Sequence, residues 1–180
     1  PNPDTDRHTL EWTTQGTDLR ILALEALSDP RLVDGRVGRF EVNGNAVLTD
    51  FVVEASSLHD PSQSKRLRFA WCWADAEQAN GDFRITNALD QDPASGWAVD
   101  GHKRQDSRVA FFLSEEPFGW EGGTRLKVEL GYQSIHRRHT FGRVRLSAAQ
   151  VAPQALERWP THSSVWFAMG PFQGGSEPLY

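Results

Sequence analysis

Cysteine, methionine and tyrosine are scarce in this sequence, and the scarcity of cysteine excludes several kinds of site. The 180 residues include one Cys, one Met and two Tyr. A single thiol, Cys72, excludes an internal disulfide, a zinc site built from several cysteines and the Cys-x-x-Cys-His attachment of a c-type haem. We therefore expect no haem in this chain and a fold stabilised by its apolar core, since a domain of this size buries roughly 70% of its extended surface.

The sequence also lacks a concentrated positive charge and a long apolar run. It has 19 Lys and Arg against 24 Asp and Glu, which are interspersed and give a net charge of −5. Nucleic-acid binding needs a basic face, so we expect no nucleic-acid partner. No stretch approaches the ~18 apolar residues of a spanning helix, and we expect no membrane insertion.

Aromatic residues and strand-length apolar runs are what the sequence has instead. Seven Trp and ten Phe favour strands, and apolar or alternating runs occupy 19–27, 46–55, 66–74, 108–113, 124–132 and 141–147. The helical candidates at 74–79 and 147–158 are short, and Pro153 interrupts the second. This pattern predicts an all-β fold, an antiparallel β-sandwich.

The expected domain organisation is one module with two extensions. We assign 1–16 to an N-terminal extension, 17–159 to the sandwich, and 160–180 to a C-terminal extension packed on the sandwich or to the start of a following module. The abrupt ends of the sequence lead us to expect a piece of a longer chain.

The segment from Asn87 to Trp97 is rich in oxygen ligands. Asp90 and Asp92 stand two residues apart and are followed by Pro93, Ser95 and a glycine. Hard cations such as calcium take six to eight oxygens from such loops. The alternative, which spacing alone favours, is an Asx-type turn in which both carboxylates accept their own backbone amides.

Asp90, Asp92, Ser95 and Trp97 match the loop signature of discoidin, or coagulation-factor type C, domains, which this segment resembles. Gln91 stands where that signature has Gly. The resemblance implies a galactose-binding-like jelly roll with a structural calcium held by Asp90, Asp92 and Ser95. A further carboxylate in that family comes from a strand that Leu48–Val53 resembles, which implies Asp50.

A wider resemblance covers most of residues 17–147. The run from His139 to Ser147, together with the segments 20–27, 38–51 and 88–99, resembles a module inserted in large bacterial c-type cytochrome proteins with paired domains of unknown function. It implies an accessory domain of a larger secreted bacterial protein, periplasmic or extracellular, whose partners include the other domains of the parent chain.

Carbohydrate sites on β-sandwiches need exposed aromatic rings flanked by polar side chains. Trp120, in the glycine-rich turn 118–123, is the aromatic residue we expect to be exposed. We assign Trp71 and Trp73 to the core, and Trp97 to a position beneath the Asp90 loop.

The polar partners that we predict for the sugar lie in two loops. Arg offers bidentate contacts to uronate or sulfate, but the 135–139 cluster also fits a solvated loop that balances nearby acids, which we favour. The predicted ligand-binding side chains are His102, Arg104, His136, Arg137 and Arg138.

Catalysis has little support, because no nucleophile elbow, zinc-protease motif or phosphate-binding loop occurs. We expect a non-catalytic module that binds a polysaccharide or other glycan and contains a structural calcium. The alternative is a structural or protein-interaction domain with no sugar site. A shared rim for Trp120 and the 136–139 loop would favour the first, and burial of every Trp the second.

Overall fold

The computed structural model describes residues 2–152 and the backbone of 164–169. These residues form eleven strands and two short 3-10 turns, at Val33–Gly35 and Ile85–Ala88. No helix in this part of the chain has the length and apolar character needed to cross a membrane. The strands are β1 (Asp6–Thr14), β2 (Leu19–Ala26), β3 (Val47–Leu48), β4 (Asp50–Ser57), β5 (Ser64–Arg66), β6 (Phe69–Ala74), β7 (Trp97–Ala98), β8 (Arg108–Phe118), β9 (Thr124–Tyr132), β10 (Val144–Val151) and β11 (Ser164–Met169).

Two antiparallel sheets pack face to face, which confirms the predicted β-sandwich. One sheet has the order β1-β9-β4-β5 and the other β11-β10-β2-β8-β6, while β3 and β7 form a separate short ladder. In β9 the predicted alternation holds, with Leu126, Val128 and Leu130 fully buried and Arg125 exposed. The galactose-binding-like topology implied by the resemblance stays a prediction.

The core lies between the two sheets and is bridged by aromatic rings. Phe51 of β4 stacks on Phe112 of β8 with ring centroids 4.0 Å apart, and Phe69 of β6 contacts both rings. Because Phe51 and Phe112 belong to opposite sheets, this cluster joins the sheets near the β6 side of the sandwich. It positions β6, which is the edge strand of its sheet.

Both ends of the described chain are paired into the sheets. Asp6–Thr14, assigned to an extension, pairs with β9 along its whole length, and its alternate residues from His8 to Thr14 are buried. The 147–158 helical candidate begins as strand, because residues up to Val151 extend β10 between β2 and β11. Ser164–Met169 pairs with β10, and the rest of 153–180 lies outside the described residues.

The 74–79 helical candidate is also wrong. No helix forms there, because β6 runs through Ala74 and the chain then bends into an isolated bridge at Gln78.

Strand direction divides the loops between two ends of the sandwich. Thr124 of β9 pairs with Thr14, and Tyr132 pairs with Asp6. The connections 27–46, 75–107 and 133–143 all leave from the Tyr132 end, which we call the loop-rich end. The turns 15–18, 58–63 and 119–123 lie at the opposite end, which the eight residue steps of β9 place roughly 27 Å away.

Candidate functional site

Oxygen atoms converge on one hydroxyl in the Asp90 loop. Ser95 Oγ lies 2.7 and 3.0 Å from the two carboxylate oxygens of Asp90, 3.2 Å from the carbonyl oxygen of Asp92 and 3.3 Å from that of Asn87. A hydroxyl has one proton to donate, so it satisfies one of these four acceptors at a time. The arrangement is an acceptor-rich cage around a single donor.

This cage fits part of what a calcium ion requires. All the oxygens are hard ligands of the kind that calcium takes, and Asp90 adds a negative charge. The predicted Asx turns are also present, since Asp90 Oδ1 accepts the Asp92 amide and Asp92 Oδ1 accepts the Ala94 amide, both at 2.8 Å. Asp92 therefore faces the cage through its carbonyl, and its carboxylate is engaged in the turn.

Asp50 lies apart from this cage. Its carboxylate accepts a hydrogen bond from Thr49 Oγ1 at 2.9 Å, lies 3.9 Å from Arg7 Nη2, and packs over the backbone of Gly131. Within residues 2–152 no three His, Cys, Asp or Glu side chains are grouped as a metal site. The third carboxylate that the family resemblance implies is thus not brought to the loop.

Gln91, which stands where the resembled signature has Gly, has a left-handed backbone conformation. Its φ is +61°, in the region where a Cβ is unfavourable. A residue with a side chain therefore occupies a position of this loop that would suit glycine.

The basic 136–139 loop is already balanced by acids. Arg138 pairs with Glu41 at 2.7 Å and with Asp4 at 3.2 Å, and Arg137 pairs with Asp4 at 3.0 Å. These carboxylates raise the pKa of the Arg138 guanidinium above its ordinary value, chiefly through the hydrogen bond that Arg138 donates to Glu41. The contacts are those of the solvated, charge-balanced loop that the sequence favoured.

Aromatic contacts hold the two histidines of this loop. The His139 ring stacks on Phe40 with centroids 4.1 Å apart, and the His136 ring meets Phe83 edge-on at 5.6 Å. Burial lowers the pKa of His139, so its neutral form is favoured. The histidines thus dock the 133–143 loop against its two neighbours at the loop-rich end.

His102 and Arg104 lie in the 75–107 connection and are also occupied. Nδ1 of His102 lies 3.4 Å from Oδ1 of Asp100, whose other oxygen pairs with Lys103 at 2.8 Å. Arg104 pairs with Asp106 at 2.7 Å. Each predicted ligand-binding Arg or His of the loop-rich end therefore has an acid within ion-pair distance or, for His136, an aromatic partner.

Trp120 does not share a rim with the basic loop. It is partly buried against the core and lies in the 119–123 turn, at the end of β9 opposite the 136–139 loop. The structure thus does not combine Trp120 with His136, Arg137 and Arg138. Trp97 is fully buried, as predicted, and its Nε1 donates to the Ala76 carbonyl at 2.8 Å.

The assignment of Trp71 and Trp73 to the core is wrong. Their exposed fractions are 36% and 46%, whereas Cys72 between them packs against the core. The cause is a register shift between Phe69 and Trp71, where β6 has one more residue than β8. A bulge of this kind reverses which alternate residues face inward, so Phe69 points to the core and both tryptophans lie on the outer face.

No protein-family model matches this chain, and no curated protein or solved structure shows significant similarity to it. The discoidin-like resemblance therefore remains a prediction from the motifs in the sequence.

Proposed function

We propose that this chain is a non-catalytic carbohydrate-binding module, with Trp71 and Trp73 as its stacking platform. The observation that supports this most directly is the exposure of both indoles, 36% and 46%, on one face of an edge strand. Residues two apart on a strand point the same way and are separated by about 6.5 Å. Large, rigid aromatic faces of this kind suit stacking on the C–H faces of sugar rings.

The platform has a supported geometry. The Trp73 ring stacks on Phe111 of β8 with centroids 6.0 Å apart and an interplanar angle of 23°. Phe111 and Trp73 are cross-strand neighbours in the β6–β8 ladder. A ring held in this way loses little conformational freedom when a ligand binds, which favours affinity.

Calcium has a structural role in the proposal. The Asp90 carboxylate, the Ser95 hydroxyl and the carbonyls of Asn87 and Asp92 would hold the ion. An ion there would brace the 75–107 connection.

The setting follows from the resemblance alone. We infer an accessory module of a larger secreted bacterial protein, periplasmic or extracellular, that tethers the parent chain to a glycan and contacts its other domains.

The test is binding to a panel of neutral and anionic polysaccharides, with and without calcium, measured by pull-down and affinity electrophoresis. We expect Trp73→Ala to weaken binding at least about tenfold, as for a truncated aromatic hot spot. Ile135→Ala is the matched control, because Ile135 is apolar, 83% exposed and in a loop at the loop-rich end. Equal binding by wild type and Trp73→Ala would show that the sugar site does not include Trp73.

The alternative function is a structural or protein-interaction domain, and the same pair of exposed tryptophans favours it as a docking surface. If the folded protein binds none of the polysaccharides in the panel, the result would support this alternative against the sugar module.

A further inference from the structure

A cleft opens at the edge of the sandwich where the chain crosses from one sheet to the other. β5 pairs only with Glu54–Ser56 of β4, so the edge of β4 at Phe51 and Val52 is left uncovered by a strand. The cleft has a volume of about 280 Å³, near the lower limit of roughly 300 Å³ for small-molecule pockets. It lies beside the Asp90 loop, which contributes Leu89 and Gln91.

The lining combines an apolar part with positive charge. Phe51, Leu67, Phe69 and Leu89 contribute apolar surface that is buried or half-buried, and the exposed polar residues are Arg66, Arg68 and Gln91. None of the described residues that line the cleft is acidic. The lining thus includes two arginines, of which Arg68 already pairs with Glu115, a residue outside the lining.

Arg66 is the guanidinium that stands ready for a ligand. Glu54 is its cross-strand neighbour in the β4–β5 ladder, yet Arg66 forms no ion pair with Glu54 or with any other carboxylate of the described residues. Arg68, in contrast, pairs through Nε with Glu115 at 2.9 Å. Binding an anion at Arg66 displaces no existing partner.

Gln91 supplies the second observation. Gln91 lines the cleft and occupies a left-handed backbone position, φ +61°, where glycine would be unstrained. Strained positions that keep a side chain concentrate at ligand sites. The side-chain amide of Gln91 offers a hydrogen-bond donor and an acceptor that glycine would lack.

We propose that this cleft binds a uronic acid ring, with its carboxylate on Arg66 and its hydroxyls within reach of Gln91. The inference rests on the proposed carbohydrate-binding function and names the class of sugar. A planar guanidinium matches a carboxylate in two parallel hydrogen bonds, and the apolar lining suits the C–H face of the ring.

The experiment is an NMR titration of the ¹⁵N-labelled chain with methyl glucuronoside, with methyl glucoside as the neutral match that differs only at C6. We expect amide shifts at residues 66–69 and 89–91 with the glucuronoside and a dissociation constant that rises at least about tenfold in Arg66→Gln. Arg125→Gln, at an exposed arginine of β9, should leave it unchanged. Gln91→Gly should weaken binding and raise the midpoint of urea unfolding, because it relieves the strained φ.

Three outcomes would overturn the cleft proposal: equal binding of the two glycosides, unchanged affinity in Arg66→Gln, or no shifts at residues 66–69 and 89–91. If polysaccharide binding still depends on Trp73 in those cases, the proposed function stands and only the uronate subsite is lost. If the glucuronoside binds as expected while Trp73→Ala leaves polysaccharide binding intact, the platform is lost and the cleft stands.

Discussion

Replacement of Asp29 by Asn should lower stability in a way that depends on pH. Asp29 begins the 27–46 connection and is 3% exposed. Arg31 donates to its carboxylate through Nε at 2.8 Å, through Nη2 at 2.6 Å and through its backbone amide at 2.9 Å, and Arg143 lies 3.9 Å away. The hydrogen bonds from Arg31 lower the pKa of Asp29 from 3.8 to about 2.

The size of the effect follows from that pKa. A difference of about two units corresponds to roughly 2.5 kcal/mol, and the half-exposed Arg31 side chain reduces this by solvent screening to about 1–2 kcal/mol. Because the pKa is lower in the folded protein, this contribution is complete well above pH 3.8 and is lost as the pH falls toward 2. Asp29→Asn should therefore be less stable than wild type at pH 5–7, and the difference should shrink toward pH 3.

Urea denaturation of wild type and Asp29→Asn at pH 7, 5, 4 and 3 measures this difference. The matched control is Asp82→Asn, because Asp82 and Arg84 form the same Asp-x-Arg pair through Nε at 2.8 Å but are each 65% exposed. Surface pairs contribute little, so the control should lose much less stability. Equal losses in the two variants, or a difference for Asp29 that does not change with pH, would refute the argument from burial.

Two further changes test the loop-rich end. Arg108→Met should lower the free energy of unfolding by about 2–4 kcal/mol, because Arg108 is 1% exposed and donates to three carbonyls of the 99–107 segment. Urea denaturation measures this change, and a loss below about 1 kcal/mol would contradict the expectation. Asp90→Ala should lower the melting temperature and abolish any stabilisation by calcium, whereas Asp92→Asn should retain it because Asp92 faces Ser95 through its carbonyl. Scanning calorimetry with and without a chelator decides this, and identical wild-type melts would exclude the calcium site.

Periodicity alone predicted much of the fold. β9 has the predicted bounds, Thr124–Tyr132, because its alternation is uninterrupted and one face is buried. β1 has a similar alternation of exposed and buried residues, although we assigned this segment to the N-terminal extension. Its buried residues are His8, Leu10, Trp12 and Thr14. Tertiary pairing overrides local propensity in β10, where Ser147-Ala148-Ala149-Gln150 reads as helix but is paired on both sides.

The position of the candidate sugar site could not be predicted, because it depends on one residue of register. The sequence alternates through Arg66–Ala74, and continuing that alternation puts Trp71 and Trp73 on the face of Phe69. The bulge between Phe69 and Trp71 is visible only in the pairing with β8. The cleft is likewise a product of chain crossing between sheets, which brings Gln91 beside Arg66 from 25 residues away in sequence.

The distribution of charge is our reason for proposing the acidic glycan site at the sandwich edge and not at the loop-rich end. At the loop-rich end Arg137 and Arg138 face Asp4 and Glu41. Exposed pairs of this kind cost little to break, but the freed carboxylates would remain beside the ligand and repel its negative charge. At the cleft, Arg68 pairs with Glu115, but Arg66 has no ion-pair partner among the described residues, and Glu54, its neighbour in the ladder, does not line the cavity. We therefore expect added salt to weaken the binding of the glucuronoside to the cleft, because salt screens the attraction between its carboxylate and Arg66. We expect no binding of the glucuronoside to the 136–139 loop at any salt concentration.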